Sequence, residues 1–300
     1  MYILLAISCL VFFFLNVTCD KQGSKGISSY LAIALKGTIC TVLSLAYVLF
    51  LGHGNLLFSF SSFKEGLLVF LFGSFQLINW IFYFKAIQKA KIEAFTSLNE
   101  ITFLLTANIW TLFFNFNNTV NGTSPFSIIV YFLGLGMMAF AIYLISQNKG
   151  LNEGVDKKWI IIDIIGCIFG SLFNVGCAFV SDLPNDVIIF YAMLIMCVGG
   201  FILVIIKKAY KEFKNIEASS YMYLVFAGVF NILTYLLRFR ANTTEGANIA
   251  VINAIISSYF VFMTLFNAII QKKKFPIIIW MVFVLMIGGM VLNSVAMFIK

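Results

Sequence analysis

Gln76-Leu-Ile-Asn-Trp80-Ile-Phe-Tyr83-Phe84-Lys85-Ala86 reads as the end of an apolar helix with a polar and aromatic stripe, and the chain writes it twice. At a shift of 155 residues it returns as Asn231-Ile-Leu-Thr-Tyr235-Leu-Leu-Arg238-Phe239-Arg240-Ala241. Amide pairs with amide, aromatic with aromatic, and Phe-Lys-Ala with Phe-Arg-Ala. After one extra residue the shift becomes 156, pairing Ala90 with Gly246, Ala94 with Ala250, Thr102 with Ser258 and Phe103 with Tyr259. A recurring helix, loop and helix is the mark of an internal repeat.

What surrounds these copies is too apolar for water. Hydrophobic residues make up 62% of the 300-residue chain and charged residues 11%, with a mean hydropathy of +1.01. Soluble domains carry roughly 25% charged residues. Read against a bilayer, where a spanning helix needs about 20 apolar residues, ten segments emerge. They are 2–19, 28–51, 65–85, 92–114, 125–147, 158–180, 186–206, 220–239, 246–270 and 276–298. Runs this long lack the two-residue alternation of a membrane barrel. Pro125, Pro184 and Pro276 all fall at segment edges, where a missing N–H is tolerated. The expected fold is an all-α integral membrane protein of ten transmembrane helices, built as two five-helix repeats, 1–150 and 151–300, in one membrane domain. Five is odd, so the second copy enters the membrane inverted, the arrangement that underlies alternating access around a midplane substrate site.

The formal charge of +8 does not signal nucleic acid, because the basic residues sit in short gaps between apolar runs. Fifteen Lys and Arg lie in or beside the odd connections (1/2, 3/4, 5/6, 7/8 and 9/10) and three in the even ones. The positive-inside rule then puts the odd loops in the cytoplasm and both termini outside, with the plasma membrane as the expected location. Cys9, Cys19, Cys40, Cys167, Cys177 and Cys197 form no CxxC pair, and His53 is the single histidine. Buried thiols are expected, with no metal site and no cofactor. Asn-x-Thr sequons occur at Asn16, Asn117, Asn121 and Asn242.

The closing of helix 3 by Phe82-Tyr83-Phe84-Lys85-Ala86-Ile87 and the opening of helix 4 from Ala90 to Ala94 resemble the EamA-like branch of the drug/metabolite transporter superfamily. So do Arg238-Phe239-Arg240-Ala241 followed by Gly246-Ala247-Asn248-Ile249-Ala250, and the small-residue run Ile287-Gly288-Gly289-Met290-Val291-Leu292 in the last segment. The resemblance implies ten helices, a five-plus-five repeat and a transport function over essentially the whole chain. The chain departs from the family's pattern in three ways. The central proline is absent from segments 4 and 9. Asn115 to Asn118 and Gln271 to Lys274 stand where a Gly-Glu pair is expected. The charge bias places the termini outside, whereas familiar members keep them in the cytoplasm.

Glu100 is the most informative single residue, since a carboxylate at mid-bilayer is costly and faces the bundle interior or a wet cavity. It is a candidate for substrate contact and proton coupling; the structural alternative is an ion pair with Lys36. Helical spacing adds Gln76, Asn79, Trp80 and Tyr83 on helix 3, and Ser97, Leu104 and Asn108 beside Glu100 on helix 4. It adds Asn231, Tyr235 and Arg238 on helix 8, and Asn253 and Ser257 on helix 9, with Tyr259 to one side. The expected substrate-binding set is Glu100, Gln76, Asn79, Trp80, Tyr83, Ser97, Asn231, Tyr235, Asn253 and Ser257. Aromatic rings beside one carboxylate suit an organic cation through cation–π attraction. Asp163, about a turn inside its segment, is expected at the membrane interface.

The expected function is secondary transport of a small metabolite, amphipathic and either cationic or amino-acid-like. Its partners are that substrate and the bilayer, with homodimer formation left open. No P-loop is present to drive it with ATP. The alternative is an intramembrane lipid-modifying enzyme, which would need a nucleophile with its base, or a metal with its ligands; the single loop histidine and the lack of a paired acidic motif in a helix weigh against it. A non-transporting scaffold would gain nothing from polar groups at midplane.

Overall fold

The computed structural model describes residues 1–114, 124–176, 183–245, 249–270, 272, 274 and 276–296, with backbone alone at 215, 239, 242, 243, 249–251 and 254. Asn115 to Asn118, Asn121, Cys177, the Gly246-Ala247-Asn248 turn, Gln271 and Lys273 lie outside the described residues.

The main helices are α1 (Tyr2–Gly23), α2 (Ser29–Phe50), α3 (Phe63–Lys89), α4 (Ile92–Phe114), α5 (Pro125–Gln147), α6 (Lys158–Gly176), α7 (Asn185–Ile206), α8 (Ala218–Thr243), α9 (Ile249–Ser257), α10 (Tyr259–Ile270) and α11 (Ile277–Ala296). No strand occurs among the described residues. Among the described residues eight helices are long and apolar enough to cross a membrane: α1, α2, α3, α5, α6, α7, α8 and α11. The polar residues Asn99, Glu100 and Asn108 set α4 apart from these, although it runs 23 residues. The ends are built from local chemistry. Ser28 and Ser62 accept hydrogen bonds from Leu31 N and Glu65 N at 3.3 and 3.2 Å, and Pro125 opens α5 behind the Ser124 cap. At the other end of α3, Lys21 Nζ donates to the carbonyl oxygens of Ile87, Gln88 and Ala90, groups that a helix terminus leaves unpaired.

The segment read as one helix over 246–270 is two. Ser258 N bonds back only three residues, to Ile255 O at 3.2 Å, and Ser258 Oγ takes the same carbonyl at 2.6 Å. Val261 N then bonds Ser258 O at 3.0 Å, restarting the spiral as a tight turn. The interruption involves neither proline nor glycine, and the Ser258 hydroxyl competes for a ladder carbonyl there, a contact that bends helices.

The closest helix pairs are α1 with α8, α2 with α7, α3 with α6 and α5 with α11. In lipid there is no hydrophobic drive between helices, so close approach of small residues supplies the packing. Gly37 of α2 lies against the Cys197 backbone of α7, where an added Cβ would come within 3.0 Å of it, and Gly200 lies as close to Ala34. In the α5–α11 pair a Cβ on Gly289 would stand 2.7 Å from the Gly134 carbonyl oxygen. Gly289→Ala is therefore expected to destabilise by about 1–3 kcal/mol, the usual result of overpacking, read as a lowered thermal midpoint in detergent. Gly136→Ala, whose methyl meets nothing within 4 Å, should leave that midpoint unchanged.

The outward faces carry large apolar side chains such as Phe70, Phe132, Ile161, Ile205 and Val284. No water-soluble surface presents so much of this kind, and lipid covers it. The protein is an integral, multi-pass membrane protein. Cys9, Cys19, Cys40 and Cys167 are buried as free thiols.

Candidate polar cavity

A cavity of about 110 Å³ sits among α1, α3, α4, α6, α8 and α9, walled by Asn16, Gln76, Trp80, Glu100, Asn231, Arg238 and their neighbours. It is far smaller than the roughly 300–1,000 Å³ of a drug-sized site. At about 30 Å³ per water molecule it holds three or four waters, or one small solute.

Seven of the ten expected residues reach this wall: Gln76, Asn79, Trp80, Tyr83, Glu100, Asn231 and Tyr235. Gln76 Nε2 donates to Tyr235 Oη at 3.4 Å, joining the two copies of the repeated stretch across the cavity. The other three stand elsewhere. Ser257 Oγ donates to Glu100 Oε1 from the broken end of α9. Asn253 Oδ1 accepts from Arg238 Nη2 at 2.8 Å. Ser97 is buried and donates to the Glu93 carbonyl of its own helix at 2.8 Å. Asn108 turns to the Leu104 carbonyl in the same way.

Glu100 does not pair with Lys36. That ammonium belongs to Asp20 at 2.7 Å, and both side chains are fully buried. Lys36 Nζ also donates to Asn16 Oδ1 at 2.9 Å, and Tyr83 Oη donates to Asp20 Oδ2 at 3.0 Å. Asn16, the first sequon, is thus interior. Lys36 Nζ lies 3.9 Å from the centre of the Trp80 ring. The protein's own cation therefore occupies the aromatic face that the sequence offers to an organic cation. Arg238, which lines the same cavity, is the cation that acts electrostatically on Glu100 among the described residues. Trp80 Nε1, also at the wall, is a buried donor with no acceptor among the described residues.

Asp163, expected near the membrane edge, is enclosed by protein. It is fully buried, and its Oδ1 accepts from Asn99 Nδ2 at 2.8 Å. Asn99, Asn16, Asn174, Thr234 and Arg238 also wall the cavity and were absent from the expected set. Asn16 and Asp20 stand four apart on one face of α1, which is the signal that could have marked them. The segment boundary at 19 put Asp20 in a loop instead.

The described helices thus gather amides, a carboxylate and a guanidinium around one cavity. Residues 157–295 match the model of the EamA-like transporter family, in accord with the drug/metabolite transporter resemblance. That family is one of membrane transporters rather than enzymes. A solved structure described as "Crystal structure of protein" superposes with a TM-score of 0.63 at 14% identity, over 97% of this chain and 96% of that one. At that identity the likeness concerns the fold alone. No curated protein matches the sequence.

Proposed function

We propose that the protein is a secondary transporter of a small zwitterionic, amino-acid-like metabolite. Its ten spans form two inverted five-helix halves that rock about the 110 Å³ cavity. The observation that carries the substrate class is the opposition of Glu100 and Arg238 at one cavity. A carboxylate receives an ammonium, and a guanidinium with the unpaired Trp80 N–H receives a carboxylate. A simple cation would meet Arg238 as a like charge.

The packing pattern supports the inverted halves. Exchange α1 with α6, α2 with α7, α3 with α8, α4 with the α9–α10 pair and α5 with α11. The α1–α8 contact then becomes α6–α3, α3–α7 becomes α8–α2, and α4–α6 becomes the contact of α9 and α10 with α1. The α2–α7, α5–α11 and α4–α10 contacts map onto themselves. A discontinuous helix beside the cavity, here at Ser258, is a recurrent device of such carriers. The family match over 157–295 falls on one of the two halves.

The test is a thermal-shift comparison of purified protein with L-alanine, choline and L-lactate. A ligand that binds only the folded state at a hundredfold excess over Kd stabilises it by about 2.7 kcal/mol. Stabilisation by L-alanine alone is expected. Stabilisation by choline alone, or by lactate alone, refutes the zwitterion.

A further inference from the structure

Behind the cavity wall lies a second carboxyl group that the substrate site does not use. Asp163 of α6 is fully buried and forms none of the ion pairs among the described residues. Its Oδ1 accepts from Asn99 Nδ2 at 2.8 Å, while its Oδ2 has no hydrogen-bond partner among those residues. Among the described residues the ionisable groups on which it acts electrostatically are Tyr83 of α3, Tyr259 of α10 and Cys167 on its own helix. Glu100 of α4 acts on the same Tyr259 and Cys167, and no Lys or Arg is among them. A carboxylate stripped of water and left without a cation is costly to keep charged. The site lacks a positive companion, and the smallest that can fill it is a proton.

We propose that Asp163 is the proton-binding site that couples transport, with Asn99 as the link to substrate. Asn99 is the hydrogen-bond partner of Asp163 among the described residues, and it also walls the cavity. When a bound solute draws the Asn99 amide into the cavity, Asp163 loses its donor and keeps its proton. When the solute leaves, the amide returns to Oδ1 and stabilises the carboxylate, and the proton departs. The step is protonation of one carboxylate oxygen, with no other bond made or broken. Proton and solute are bound together, so they travel in the same direction; by linkage, each favours binding of the other. The coupling role rests on the transport reading, whereas the proton site itself does not.

Two measurements separate them. Infrared difference spectra of purified protein between acidic and alkaline buffer should contain a protonated-carboxyl C=O band. That band should vanish in Asp163→Asn and persist in Glu100→Gln. A band that survives Asp163→Asn, or that is lost only in Glu100→Gln, overturns the assignment. If Asp163→Asn does not fold, Asp163→Glu should move the band, and an unmoved band overturns it equally. In proteoliposomes with radiolabelled L-alanine, Asp163→Asn should retain exchange of solute for solute. Its accumulation driven by a pH gradient should fall to the equilibrium level. Wild-type-like accumulation by the variant, or accumulation driven by a sodium gradient in place of the proton gradient, overturns the coupling role. Absence of both exchange and accumulation in the wild type would strike the transport reading instead, and the infrared result alone then decides the proton site.

Discussion

Lys36→Met is expected to destabilise the folded protein by about 3–5 kcal/mol, the usual consequence of removing one partner of a buried ion pair. Lys36 donates to Asp20 Oδ1 and Oδ2 at 2.9 and 2.7 Å and to Asn16 Oδ1 at 2.9 Å, which uses the ammonium's donors. Without it Asp20 keeps the Tyr83 hydroxyl at 3.0 Å but no cation, in a place where neither side chain touches solvent. The penalty comes from the stranded charge rather than from lost attraction. Asp20→Leu combined with Lys36→Met should therefore recover most of it, because apolar replacement of both partners is often neutral or stabilising. Thermal unfolding of the single and double variants in detergent reads the cycle. A double variant no better than Lys36→Met would show that Asp20 carries no uncompensated charge.

Glu100→Gln is expected to weaken L-alanine binding by about 10- to 100-fold, since a hydrogen bond to a charged group contributes about 1.5–3 kcal/mol and each 1.4 kcal/mol is a factor of ten. The variant should fold, because the Ser257 hydroxyl can still donate to the amide oxygen in place of Oε1. Arg238 then faces a neutral wall, and the ammonium of the solute loses its counter-charge. Ser257→Ala, which only removes the group that holds Glu100, should weaken binding less than Glu100→Gln does. The readouts are the L-alanine Kd from ligand-dependent thermal shifts and the rate of exchange in proteoliposomes. Unchanged affinity in Glu100→Gln would make the carboxylate a packing element of α4 and α9.

Much of the cavity was legible from one stripe. Gln76, Asn79, Trp80 and Tyr83 recur on a single helical face, and all four reach the wall, as do their counterparts Asn231 and Tyr235. Periodicity identifies such a face because a polar group at membrane depth must turn from lipid. It does not say what the face meets. Ser97 and Asn108 share helical spacing with Glu100, yet both bond carbonyls of their own helix. Asp163 read as an edge residue because its segment begins at Lys158; what that reading did not contain is its burial and its bond to Asn99 of α4. The actual mate of Lys36 was out of sight because the segment was ended at 19: α1 continues to Gly23, and that last turn brings Asp20 inside.

Sequence alone determined that this chain lies in a membrane, roughly where most of its apolar helices run, and which polar and aromatic residues share one face of the helix ending at Ala86. Those properties are local. A bilayer leaves each backbone group to be satisfied within its own helix, so hydropathy and length decide the elements. Tertiary structure alone decided that Lys36 belongs to Asp20 and Glu100 to Ser257, that Asn99 joins the cavity to Asp163, and that the chain breaks at Ser258. These partners come from different helices or from a competition between two hydrogen bonds. Close packing of small residues, which carries no sign in hydropathy, selects them.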